Sequence, residues 1–286
     1  MNLRAIAALA GVVTGITLAA RVVPSQVPRE VPQFHVTTSV VDNRGNPVTG
    51  LTAADFVVTV GDVARGAVQV DVDSRPLSIV VIVDGTVPSE AFQIRSALVS
   101  VLRQLRRGGA PVRIGLMIGE EGAQVPVLQD AQASVAELDR RVSKFFMASQ
   151  TAPPVDTIGA AVQALRKEEG RRRAILFLSV NRRPLTHVYL DDLAAALRAA
   201  DVTLAVVESV RGPDQSVWLL HQRVGGFYSG TGDVPVLGSL GSRLAGGLTS
   251  AYQVTFEAAE STNLPMKVTV KGRDGITLIA PSWALR

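Results

Sequence analysis

The chain has 286 residues, 47% hydrophobic and 19% charged, which is enough apolar material for one large α/β domain plus a smaller module and too much for a disordered polymer. Net charge is only +4 and no basic run is interleaved with aromatic residues, so nucleic acid is not an expected partner. Cysteine is absent, which excludes disulfides, thiolate zinc sites and cysteine nucleophiles.

Arg4 precedes an apolar stretch over residues 5–20, and Arg21 follows with a segment containing Pro24, Pro28 and Pro32. A charged start, an apolar middle and the small residues Thr17, Ala19 and Ala20 near its end are the order of a secretory signal. The stretch is slightly short for a spanning helix. Residues 1–20 therefore read as a signal peptide, with an uncleaved anchor as the alternative and the only expected membrane contact. The protein reads as exported, either secreted, periplasmic or at the cell envelope. Residues 21–33 read as an extended linker.

Residues 34–75 form an N-terminal β segment. A β-rich run over 34–41 ends in Asp42-Asn43-Arg44-Gly45-Asn46-Pro47, the pattern of a strand followed by a turn. Residues 51–56 make a short connection, and 56–60 and 68–72 are two more β-branched runs. Three short strands do not make an independent core, so they need partners from elsewhere in the chain.

The texture changes at residue 77. Leu77-Ser78-Ile79-Val80-Val81-Ile82-Val83 runs without a charge into Asp84, Gly85 and Thr86. Such a run reads as a strand buried on both faces at the centre of a parallel sheet. Ligands of open α/β sheets sit at the carboxyl ends of these strands, so Asp84 marks the expected site. Strands and helices then alternate. Helical spacing recurs at Ile94, Leu98, Val101, Leu102 and Leu105, at Val135, Leu138, Val142 and Phe145, at Ile158, Ala161, Val162 and Leu165, and at Leu190, Leu193 and Leu197. Residues 112–118, 124–128, 174–178 and 202–207 read as strands, 217–224 and 236–248 as helices, and Phe227-Tyr228 as a short edge strand. Residues 76–249 thus predict a doubly wound, mainly parallel sheet of Rossmann-like α/β class, with helices on both faces. Over residues 250–286 the pattern returns to strands at 251–256, 266–271 and 276–280, with Arg273-Asp274-Gly275 as a hairpin turn between the last two. The early and late strands are expected to form one small β module beside the α/β domain.

Four stretches carry a family resemblance. Val40-Val41-Asp42-Asn43-Arg44-Gly45-Asn46-Pro47-Val48-Thr49-Gly50-Leu51-Thr52-Ala53-Ala54-Asp55-Phe56 is the most specific, matching a pattern V-x-D-x-x-G-x-P-V-x-G-L-T-x-x-D-F. Gly225-Gly226-Phe227-Tyr228 is a Gly-Gly-aromatic turn, and Tyr252-Gln253-Val254-Thr255-Phe256 and Pro281-Ser282-Trp283 are closing strands. Together with the element order, these resemble the von Willebrand factor A (VWA) fold. More closely, they resemble a family of exported bacterial proteins in which a β segment precedes a VWA domain and closing strands follow it.

The resemblance implies a metal-ion-dependent adhesion site, read Asp-x-Ser-x-Ser after the first strand with a Thr and an Asp from two later loops. Clustered oxygens of this kind suit magnesium, with one position open for a partner's carboxylate. This chain departs from the pattern at three places. Asp84-Gly85-Thr86-Val87-Pro88 keeps the acid and one hydroxyl, but Pro88 offers no side-chain oxygen. Pro153-Pro154-Val155 stands where Gly-Gly-Thr is usual, and Ser179-Val180-Asn181 where Thr-Asp-Gly is usual. Asp84 and Thr86 therefore read as remnants of a degenerate site with no metal or other cofactor. Magnesium binding is the alternative, and Asp156 and Thr157 would rescue the site only by a register shift.

Other residues admit two readings each. Arg182 and Arg183 either form a guanidinium fork on Asp84 in place of a metal or are solvated, and solvation is the favoured reading. The eight residues 166–173 (RKEEGRRR) read as a solvated helix end and turn. His35, His187 and His221 match no ligand spacing and read as structural. No Gly-x-Ser-x-Gly and no phosphate-loop sequence occurs, so the glycines of 225–232 read as a flexible edge loop. Trp218 reads as core or rim, and Trp283 as packing against the β module. The expected function is that of an exported, non-enzymatic VWA-like adhesion or scaffold module that binds another protein without metal. Its surface would comprise Asp84, Thr86, Pro88, Ser89, Asp156, Thr157, Ser179, Asn181, Arg182 and Arg183. The alternatives are a divalent-metal-dependent module with non-standard ligands around Asp84 and, less favoured, an enzyme on a Rossmann-like sheet, which would need a convergent polar set that the sequence does not display.

Overall fold

The computed structural model describes residues 31–84, 91–107, 111–118, 125–131, 153–180, 189–209, 215–231, 233–258 and 265–285. The expected signal or anchor, most of the linker and the helix expected over 135–145 lie outside these residues. In chain order the elements are β1 (Gln33–Val41), a 3-10 turn (Ala53–Asp55), β2 (Phe56–Val60), β3 (Val63–Val72), β4 (Leu77–Asp84), α1 (Ala91–Arg107), β5 (Val112–Ile118), β6 (Gln129–Asp130), α2 (Pro154–Leu165), β7 (Arg172–Ser179), α3 (Leu190–Ala199), β8 (Val202–Glu208), α4 (Gln215–Val224), β9 (Gly225–Gly230), α5 (Val234–Leu248), β10 (Tyr252–Glu257), β11 (Met266–Val270) and β12 (Thr277–Pro281). Residues 124–128 were expected as a strand; β6 lies just beyond them. Among the described residues no helix is long and apolar enough to cross a membrane.

All eight residues of β4 are buried, as a run without solvent-facing polarity requires. Its two faces feed two cores. Val81 and Val83 pack with Leu98, Leu102 and Leu244 under α1 and α5. Val80 and Ile82 pack with Ile158, Phe177, Leu197 and Leu220 under α2, α3 and α4. Each fully buried Leu or Ile contributes about 1.5–3 kcal/mol relative to exposure. α1 and α5 approach closely because α5 is glycine-rich: a Cβ on Gly238 would lie 3.1 Å from Ala97.

The twelve strands form one sheet in the order β11-β2-β3-β10-β1-β12-β9-β8-β7-β4-β5-β6. From β9 to β5 all neighbours are parallel, and β6 closes that edge antiparallel. From β9 to β11 every pairing is antiparallel. The expectation of a mainly parallel sheet thus describes one half; taken whole, antiparallel pairings outnumber parallel ones. The reason is connectivity. Crossover helices impose parallel strands between β4 and β9, whereas β2 and β3 are joined by a tight turn and the late strands insert among the early ones.

Three further corrections concern the seam. The early and late strands pair with one another as expected, but they are not a separate module, because β12 also pairs with β9 through Ala280↔Gly226 and Pro281↔Gly225. β9 is accordingly an interior strand rather than an edge strand or edge loop. Its glycines are what permit this: Gly226 has φ +94, and a Cβ there would overlap the Leu204 carbonyl oxygen. Arg273-Asp274-Gly275 closes no hairpin, since β11 pairs with β2 while β12 pairs with β1 and β9. The antiparallel strands instead curl round a third core that includes Phe34, Phe56, Val58, Val254, Phe256 and Val268, and the Met266 N–H donates to the Ser282 carbonyl (3.0 Å) where the run returns on itself.

The most specific sequence motif turns out to be structural. The Asp42 carboxylate accepts from the Arg44 and Asn46 N–H groups (both 2.8 Å) and from Asn46 Nδ2 (3.0 Å). The Asn46 side-chain bond, foremost among these, holds Asp42 below the usual carboxylate range. Gly45 adopts φ +87, and a Cβ there would lie 2.8 Å from the Arg243 Cα, so the turn docks against α5. Asp55 closes the second half of the motif by accepting from Thr52 N–H (2.7 Å).

The basic cluster at 166–173 is only partly solvated, contrary to its reading as a solvated turn. Glu168 is buried, accepts from Ser78 Oγ (2.8 Å) and pairs with Arg113 (2.7 Å). Arg172 is buried and donates to the carbonyls of Leu248 (2.9 Å) and Thr249 (3.0 Å), which serve as the C-terminal acceptors of α5. The cluster thus fastens the amino ends of the parallel strands. Trp283 was expected against the β module; it lies in the core under α2–α4, with Leu220 and Val224, because β12 carries the chain across the seam. Trp218 is 38% exposed and sits at the rim.

Candidate functional site

The chain leaves β4 for β5 and β6 on one side and for β7, β8 and β9 on the other. The strand order therefore reverses between β4 and β7, and in open α/β sheets ligands bind outside the carboxyl ends of the strands at such a point. Asp84 and Ser179 end these two strands and face each other in register. The Ser179 hydroxyl donates to Asp84 Oδ2 (3.2 Å), and the Val180 N–H donates to the Asp84 carbonyl (2.9 Å). Asp84 is 3% exposed.

The polar row continues across the sheet. Glu208 ends β8 opposite Ser179 and is fully buried. The Tyr228 hydroxyl of β9 donates to Glu208 Oε2. Tyr228 in turn packs its ring 5.5 Å from His221 of α4, whose Nδ1 meets the Gly225 carbonyl at 3.0 Å. Burial lowers the His221 pKa, against the opposing pull of that carbonyl. Asp84, Ser179, Glu208 and Tyr228 all project from the face that α2–α4 cover, so they form a polar upper margin to an otherwise apolar layer. The sequence reading missed Glu208 and Tyr228 as site residues. Its usable signal was the repetition of one pattern: the apolar run 202–207 ends in an acid just as 77–83 does.

Of the other expected residues, Thr157 is buried in the first turn of α2, and its hydroxyl donates to the Pro153 carbonyl (3.1 Å). Asp156 stands beside it, where an acid complements the helix N-terminus. It lines a cavity of about 440 Å³ between α2 and α3, together with Arg166, Tyr189 and Asp192. Thr86, Pro88, Ser89, Asn181, Arg182 and Arg183 lie outside the described residues, and with them the arginine fork.

Two valines bear on the fit of the described residues to magnesium. Val155 is 2% exposed within the core under α2, and Val180 is 8% exposed within the core under α1 and α5. These are the two positions that the sequence resemblance assigns to a threonine and an aspartate, and this chain delivers methyl groups there into apolar packing. Asp84 and Ser179 alone fall short of the roughly six oxygens around magnesium. The described residues do not fit the metal.

No family model matches the chain, and no curated protein matches it. Several solved structures resemble it. One is the PilB minor pilin from Streptococcus sanguinis, at 8% identity and TM-score 0.45, covering 62% of this chain and 62% of the pilin chain. The human COPII-coat protein Sec24c follows at 14% identity and TM-score 0.42, with 73% and 44% coverage. The SpRpn10 VWA domain follows at 11% identity and TM-score 0.40, with 57% and 93% coverage. This chain spans less than two thirds of the pilin it resembles. At such identities and scores none of these likenesses assigns an activity.

Proposed function

We propose that this chain is an exported VWA-like module that binds another protein, without metal and without catalysis, through the carboxyl end of its parallel strands. The observation that carries the reading is the pairing of a reversal point at β4 and β7 with valines where ligand oxygens would be needed. The scaffold for recognition is retained, while Val155 and Val180 are committed to the cores. Export rests on the charged-then-apolar order of residues 1–20. The absence of catalysis rests on the placement of the polar row: Asp84 and Glu208 are buried at the margin of an apolar layer and engaged by Ser179 and Tyr228.

Two measurements test the proposal together. Calorimetric titration of the full chain with magnesium and manganese is expected to show no stoichiometric binding. Affinity capture from the native envelope fraction is expected to recover the same partner with and without EDTA. Tight one-to-one magnesium binding, or capture abolished by EDTA, would overturn metal independence in favour of a module with non-standard ligands around Asp84.

A further inference from the structure

Among the described residues, a second concavity, larger than the one between α2 and α3, lies on the opposite helix layer. α1 and α5 run side by side, the turn at residues 42–46 closes one end, and a groove of about 640 Å³ remains. That volume is within the ordinary range of ligand sites. Three guanidinium groups from three separate elements line it: Arg44 of the turn, Arg107 of α1 and Arg243 of α5. The rest of its polar lining among the described residues is neutral, with Ser100 and Gln104 on α1 and Ser242 on α5, and no acidic side chain is among them. Asp42, on the same turn as Arg44, is engaged by the N–H groups of Arg44 and Asn46.

A purely structural account covers only part of this. Arg107 lies in the last turn of α1, where a cation complements the helix dipole. Arg44 and Arg243 have no such position. Arg243 donates through Nη1 to the Asn43 carbonyl (3.1 Å), but its Nε is buried without a partner among the described residues. The groove follows α1 from Ser96 to Arg107, about 16 Å at the helical rise, which matches about five residues of extended peptide.

We infer that this groove binds oxyanions and that its ligand is an acidic peptide segment of a partner protein. The arginines hold the carboxylates, and the Gln104 side-chain amide on α1 meets a peptide carbonyl. The inference does not involve the β4–β7 site, so either stands if the other fails.

Fluorescence anisotropy of the full chain with a labelled oligo-glutamate peptide is the test, with oligo-lysine and pyrophosphate as the other probes. Saturable oligo-glutamate binding that weakens with added salt is expected, together with no binding of oligo-lysine. Arg44→Glu and Arg107→Glu, both at exposed positions, should each weaken binding at least about tenfold. Arg103→Glu, exposed on the same helix but outside the groove, should change it less than about twofold. A lack of saturation overturns the inference. An Arg103→Glu loss equal to that of Arg107→Glu also overturns it, since the helix would then be only diffusely basic. Pyrophosphate binding tighter than the peptide overturns the peptide assignment in favour of a small-anion site.

Discussion

In the parallel half of the sheet, β4, β7 and β8 are covered on both faces, and their side chains are buried almost without exception. In the antiparallel half β3 keeps much of its length in solvent, with Val68 50% exposed, and β10 and β11 alternate between buried and open positions. A strand covered on both faces leaves its apolar layer only at its ends, so polar residues such as Asp84, Ser179 and Glu208 collect there, buried but hydrogen-bonded to one another or to Tyr228. A strand covered on one face presents side chains along its whole length. The same β-branched composition therefore confines a candidate site to a row of strand ends in one half and spreads a surface over the other.

The largest effect is expected at the seam that joins the halves. Gly226→Ala adds a Cβ against the Leu204 carbonyl at φ +94 and should cost at least about 4 kcal/mol in urea unfolding, with both halves lost together. A loss under about 1 kcal/mol would mean that β9 does not couple them. Next comes the direct contrast between a doubly covered and a singly covered strand. Ile82→Ala should cost about 2–5 kcal/mol, and Val68→Ala under about 1 kcal/mol. Equal losses would erase the distinction drawn above.

Smaller effects are expected along the polar row. Tyr228→Phe removes the hydroxyl that Glu208 accepts from and should cost about 1–3 kcal/mol, while Ser179→Ala should cost about 1 kcal/mol. Thermal melts of the two variants check the order, and a more stable Tyr228→Phe would contradict the hydrogen-bond assignment. The subtlest prediction concerns acid. Burial pushes Asp73 up, but the hydrogen bonds and charge of Arg75 outweigh it and hold the carboxyl below its ordinary 3.8. A depressed folded value means stability that is present above pH 3.8 and lost as pH falls through the folded pKa. His221, also depressed, acts earlier, its contribution being present above about 6.5 and lost below it. Urea unfolding from pH 7 to pH 2 should show a shallower loss above pH 4 for His221→Gln and a shallower loss below pH 4 for Asp73→Asn. Identical profiles for wild type and both variants would remove these assignments.

Much of the parallel half was legible because its signals are local. A continuous apolar run, a helical spacing such as Ile94, Leu98, Val101 and Leu105, and an acid at a strand end each sit within one segment. Glu208 was legible on the same grounds and was overlooked. The seam was not legible. Gly225 and Gly226 read equally well as a flexible loop, because the need for their missing side chains is set by Leu204 and by Ser282, which lies more than 50 residues away. The hairpin expected at Arg273-Asp274-Gly275 failed for a related reason. A turn sequence specifies that the chain bends, and not which strand it then joins.

The sequence by itself determined the alternation of strands and helices, the central place of residues 77–84, and the apolar character of Val155 and Val180. These follow from residue type and local periodicity, which need no partner to be read. The tertiary structure alone decided that the paired early and late strands continue the parallel sheet through β12 and β9, that the turn at Asp42–Asn46 docks on α5 to frame an arginine-lined groove, and that Glu208 and Tyr228 extend the row begun by Asp84. Each of these depends on contacts between segments far apart in the chain, where the competition among pairings is settled by which surfaces can be buried together.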